Sequence, residues 1–182
     1  MPSDDPSRTR DQTGDQTGDQ ISDQTGDREL RRRLPPPPRP QGGYVPAVAH
    51  ELVPGRGGLV VTAGITPRVD GILRHRGRLG RDLGVDEGRA AARLAADNAL
   101  AAALGALAGD RQLDRVLRLT VYVNAADDFE EHTAVADGAS ARLRELCGAR
   151  GDAARAAVGV ASLPGGACVE LELTCSWTAP EA

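Results

Sequence analysis

Apolar residues recur along this chain with two periods, and the alternation between them sets out the fold. Ala92, Ala96, Leu100, Ala103 and Leu107 fall at helical spacing. They predict a helix to about Ala108, with Asp86 as N-cap, Glu87 in the first turn favoured by the macrodipole, and Gly109 ending it. Val135, Ala139, Leu143 and Leu146 do the same for a second helix over about Asp128 to Cys147, in which Gly138 costs about 1 kcal/mol relative to alanine. Period two appears in Leu113 to Val123, where Val116, Arg118, Thr120 and Tyr122 alternate with Leu117, Leu119, Val121 and Val123. Tyr44 to Val53 reads as a first strand and Leu59 to Ala63 as a second. The second is nearly all apolar, as in a strand covered on both faces or set in a subunit contact, and Ile65 to Ile72 is expected to extend the sheet.

Two further runs end the chain: Ala156, Val158 and Val160, then Val169, Leu171 and Leu173. Between them lies Leu163-Pro164-Gly165-Gly166, which suits a type II turn with proline at its first central position and glycine at its second. A hairpin is predicted, pairing Val160 with Val169, Val158 with Leu171 and Ala156 with Leu173, which gathers the apolar residues on one face. The other face then holds Arg155, Ala157, Gly159 and Ala161 beside Cys168, Glu170, Glu172 and Thr174. An arginine and two carboxylates would share a floor of small side chains. Arg155 can there hold a ligand carboxylate bidentately or pair with Glu172 across the diagonal. Glu170 can act as general base on a water or stand as a solvated strand glutamate. The order strand, strand, helix, strand, helix, strand, strand predicts an α+β domain, a mixed sheet with two helices packed on one face.

The remaining stretches are polar. Residues 11 to 26 repeat Asp-Gln-Thr-Gly with period four, one repeat reading Asp-Gln-Ile-Ser. They offer almost no apolar area against the entropy of ordering. Arg31 to Arg33 and Pro35 to Pro38 follow as a stiff, solvated spacer or a Pro-rich ligand for a partner's groove. Residues 1–42 are therefore expected to form a disordered, low-complexity and Pro-rich tail, and residues 43–178 the domain. From Leu73 to Gly84, Arg74, His75, Arg76, Arg78 and Arg81 stand among glycines, as a solvated loop or one that borders a pocket and holds an anion.

The net charge of -4 and the acidic balance beyond Tyr44 argue against a nucleic-acid partner. All 22 basic residues are arginine, which excludes lysine Schiff-base chemistry and a Walker-type phosphate loop. Cys147, Cys168 and Cys175 show no CxxC spacing, and His50, His75 and His132 are scattered, so no metal site and no cofactor is proposed. No apolar run approaches the roughly 20 residues of a spanning helix, so no membrane role is expected, and the location read from these features is cytoplasmic.

The run from Arg155 to Pro164 with Val169-Glu-Leu-Glu172 resembles the C-terminal signature of the Rid family of small proteins (YjgF, also called endoribonuclease L-PSP). Tyr44-Val45, Leu59 to Gly64, Leu113 to Val116 before Thr120 to Val123, and Asp128-Phe129 match in family order, over about residues 43 to 177. The resemblance implies a chorismate-mutase-like fold and a homotrimer with clefts between subunits. It also implies hydrolytic deamination of reactive enamine or imine acids, such as 2-aminoacrylate, to 2-keto acids and ammonia. By the same resemblance Arg155 anchors the substrate carboxylate and Glu170 positions or activates water. Tyr44 closes over the ligand, and Gly64 and Ala157 present backbone groups to it. Ala63 stands where many deaminating members have serine, Ala157 where they have cysteine, and Thr133 where an asparagine is usual. A non-catalytic trimer that binds small carboxylates or a protein partner is the alternative, and a ribonuclease ranks behind both.

Overall fold

The computed structural model describes residues 27–180. The tetrapeptide repeats, and the disorder expected of them, lie outside the described residues. In chain order come β1 (Ala47–Val53), β2 (Gly57–Thr62), a small hairpin of β3 (Arg68–Val69) and β4 (Ile72–Leu73), α1 (Val85–Ala106), β5 (Gln112–Asn124), α2 (His132–Cys147), β6 (Ala154–Val160) and β7 (Val169–Thr178). Five strands form one sheet in the order β1-β2-β7-β5-β6, with β5 and β6 parallel and the other neighbours antiparallel. The sheet is mixed and both long helices pack on one of its faces, as the patterning predicts.

The core lies between them. Val60, Val116, Leu119, Val121, Val123, Leu171, Leu173 and Trp177 turn one side of the sheet toward the helices and are almost fully buried. From α1, Ala92, Ala96, Leu100, Ala103 and Leu107 meet them, and from α2, Val135, Ala139, Leu143 and Leu146. Alanine dominates the α1 stripe, so this helix can lie close to the strands. Burial raises the thiols of Cys147, Cys168 and Cys175 to about 11, 11 and 12, which leaves them inert. The helix starts shift from expectation. Gly84, not Asp86, is the α1 cap, and its N–H donates to the Glu87 carboxylate at 2.9 Å. α2 begins at His132, because Phe129 is drawn into the core ahead of it and meets the His132 ring edge-on.

Three expectations need correction. The tail does not run to residue 42: residues 27–33 are helical, Leu30 is 3% exposed within the core, and the Asp27 carboxylate accepts the Leu113 N–H at 2.8 Å. Pro35 to Pro37 continue across α1 beside Ala101 and Leu104, where Gly105 leaves room for Pro37. Leu34 and the prolines thus lie along α1 near Ala101, Leu104 and Gly105.

The terminal hairpin is also absent. Its turn has the expected form, with the Gly166 N–H on the Leu163 carbonyl and Gly165 at φ 66, ψ 8. Yet β7 lies between β2 and β5, and β6 pairs with the far side of β5. A strand buried on one face and flanked on both edges satisfies more backbone groups, and β5 offers thirteen residues against seven in β6. Val123 therefore lies beside Val169, and Asn124 beside Val160.

The arginine-rich loop, finally, is knitted into the fold. Leu79 is fully buried, its N–H donates to the Asn124 carbonyl, and the Arg78 guanidinium donates to the Ala125 carbonyl at 2.6 and 3.0 Å.

Candidate functional site

β7 alternates buried and half-buried residues, which puts Glu170 and Glu172 on the side of the sheet away from the helices. Glu170 lies beside Tyr122 of β5, and Tyr122 beside Val158 of β6. The Tyr122 hydroxyl donates to the Glu172 carboxylate at 3.1 Å, and burial followed by that bond raises the phenol's pKa. Glu170 is also raised, first because burial penalises its charge and then because Glu172 stands near.

Just past β2, Ile65 and Leu171 exchange backbone hydrogen bonds at 2.8 and 3.0 Å, which brings Gly64 directly under the Glu170 side chain. A Cβ on Gly64 would run into Glu170 Oε1, so only glycine lets the carboxyl lie down there. Above the pair opens a cavity of about 340 Å³, walled by Gln41, Tyr44, Ala63, Gly64, Thr66, Arg68, Pro164 and Glu170. The Gln41 backbone N–H donates to the Tyr44 hydroxyl at 3.2 Å, which stands this half-exposed ring against its own turn.

Arg68 is the cation of this cavity, and sequence reasoning missed it. It sits at the base of the β3–β4 hairpin, whose turn residues Asp70 and Gly71 both have positive φ, 51° and 77°. The Asp-Gly pair is the sequence signal for such a turn, and reading residues 65 to 72 as one extended strand overlooks it. Arg68 Nε donates to Thr66 Oγ1 at 3.1 Å and Nη1 to the Gly71 carbonyl at 2.8 Å. Buried Asn98 of α1 donates its amide to the carbonyls of Thr66 and Arg68 and pins the hairpin to the domain.

Of the expected site residues, Tyr44, Gly64 and Glu170 come together here. Arg155, Ala157 and Thr133 do not. Arg155 lies beside Leu119 in the parallel pairing, on the helix side of the sheet, two strands away from Glu170 and on the opposite face. Its Nη1 donates to Asp137 Oδ1 at 2.8 Å and Ser140 Oγ at 2.9 Å, so its partner is α2 and not Glu172. Ala157 follows two residues along the same edge strand on the same face, and Thr133 stands one helical turn before Asp137 on α2. The hollow shared by Arg155 and Glu170 that the hairpin implied does not exist within one chain.

Residues 46–171 match the model of the family described as "YjgF/chorismate mutase-like, putative endoribonuclease". The chain belongs to that family. A solved structure from Agrobacterium tumefaciens, the protein Atu1372 with unknown function, is 30% identical, covers 86% of this chain and 98% of its own, and superposes with a TM-score of 0.70. A Shewanella oneidensis protein described as a putative endoribonuclease is 28% identical over 82% of this chain and 97% of its own, with a TM-score of 0.68. Protein TCP17 of Trypanosoma cruzi is 43% identical over 97 residues, which is 53% of this chain and 61% of that protein. This chain thus has the YjgF, chorismate-mutase-like fold. Among the described residues no helix is long and apolar enough to cross a membrane, and no group of three or more His, Cys, Asp or Glu could hold a metal ion.

Proposed function

We propose that this chain is a hydrolytic deaminase of reactive enamine or imine acids, and that it works as a homotrimer whose clefts lie between copies. The observation that carries the reading is the Glu170 carboxyl, held partly desolvated over Gly64 at the floor of an open cavity. A carboxylate with a raised pKa is a better base than a solvated one. It would take a proton from water as the oxygen adds to the imine carbon and then return that proton to the nitrogen. The carbon–nitrogen bond of the resulting amino alcohol breaks as the carboxylate takes the hydroxyl proton, so the nitrogen leaves as ammonia and the oxygen remains as the keto group. Tyr44 would cover the ligand and the backbone near Gly64 would orient it.

The substrate carboxylate needs a cation. Arg155 lies on the edge strand β6, whose outer side pairs with no other strand of the sheet. In this reading the Arg155 edge of one copy, with Ala157 and Thr133, closes the Glu170 cavity of the next. Such a head-to-tail contact joins two different patches and closes into a ring.

Ala63, which supplies no hydroxyl at the cavity wall, favours the second reading, a non-catalytic trimer that binds small carboxylates. Release of ammonia or pyruvate from freshly generated 2-aminoacrylate decides between them. A rate above buffer, abolished in Arg155→Ala and in Glu170→Gln, is expected. A rate equal to buffer with folded trimer present would defeat the catalytic claim, and keto-acid binding without turnover would select the binder.

A further inference from the structure

Arg68 gives the cavity a second charged feature that the deamination of a simple imine acid leaves unused. We propose that Arg68 receives a second acidic group of the ligand, so that the molecule taken up is a dicarboxylic imine, with an acid at each end. This deepens the deaminase reading and rests on it, since the first acid is assigned to Arg155 of an adjacent copy.

Three observations lead here. Arg68 and Glu170 wall the same cavity, and among the described residues no acidic side chain pairs with Arg68. The Arg68 guanidinium is also fixed before any ligand arrives. Nε and Nη1 are held by Thr66 and Gly71, Asn98 clamps the hairpin from behind, and Nη2 carries no protein acceptor among the described residues. A planar fork locked in this way and left without an anion suits a carboxylate, since little ordering entropy remains to be lost. Finally, a cavity of about 340 Å³ holds about ten waters' share of liquid volume. Arg68 and Glu170 border this same space, so a ligand with its reacting carbon near Glu170 has room to extend a second acidic group toward Arg68.

The experiment is calorimetric titration of the full chain with 2-oxoglutarate and with pyruvate, beside turnover of the two corresponding imines made in place by amino-acid oxidation. Wild-type protein is expected to bind 2-oxoglutarate on the order of 10- to 100-fold more tightly than pyruvate. Arg68→Met should erase that preference and change pyruvate affinity by less than about threefold, and Arg68→Lys should restore part of it and guard against a folding defect. Arg155→Ala should weaken both acids alike. Equal affinities in the wild type, or an Arg68→Met variant that loses both acids equally, would overturn the proposal. Absence of turnover with the binding preference intact would instead count against the deaminase and leave the diacid site standing.

Discussion

At the scale of single residues, Glu170 and Gly64 act as a unit, and the unit has a measurable pH signature. Because the folded state raises the Glu170 carboxyl above its ordinary value of 4.5, the native chain holds that proton more tightly than the unfolded one. Stability is then fully present below the ordinary value and falls as pH rises through the raised one. Glu170→Gln removes the burden, so its melting temperature should exceed the wild type's at pH 7 and match it near pH 4. A lower melting temperature at pH 7 would mean that a positive charge holds the carboxylate. The Glu170 position was legible in the sequence because strand alternation sets the side of the sheet and the family resemblance marked the residue. The position of Arg155 was not. Alternation says only that Arg155 and Ala157 share a face, and which face depends on a strand partner that a single sequence does not name. Arg68 was hidden for a different reason: its role comes from a cavity assembled by residues as distant in the chain as Gln41 and Glu170.

Among the elements, the two helices show how propensity and packing separate. Gly138 reads in the sequence as a weak point of α2, and alanine there should gain about 1 kcal/mol. In the fold, a Cβ at Gly138 would strike the Arg89 carbonyl of α1, and one at Gly88 would press on Leu79 and Val135. These glycines are the notches through which the helices approach. Gly138→Ala is therefore expected to destabilise the protein by about 1–3 kcal/mol in urea unfolding, and a gain in stability would show that the helices can part without loss. Both helices, their buried stripes and the long central strand could be predicted because each pattern is local. The hairpin failed because β5 and β6 both carry good strand patterns, and β5, the longer of the two, is the one that pairs with β7 while also taking β6 on its other edge. The segment 27–42 failed because its few apolar residues look too sparse to pack until α1 sets Ala101 and Leu104 beside them.

At the scale of the whole molecule, among the described residues one face of the sheet has no covering layer. Val48 and Val61 sit side by side there, 56% and 47% exposed, with Val158 at the far edge. If the proposed trimer closes over this face, replacing Val48 and Val61 together by aspartate should yield monomers in analytical ultracentrifugation. The melting temperature of the isolated fold should hardly change, since exposed substitutions are nearly neutral. A wild-type chain that sediments as a monomer would remove the basis for clefts between copies.

The parallel pairing of β5 with β6 bears on how the molecule comes into being. Antiparallel neighbours such as β1 and β2 are joined by a short reversal and can zip locally. β6 can dock only after the intervening helix α2 has been laid down, and closing that long loop delays it. The rim that carries Arg155 is thus expected to condense after the local β1–β2 pairing, and the Glu170 floor, which joins β7 to the distant β2, closes a longer loop still, so assembly that needs both can begin only after these slow steps.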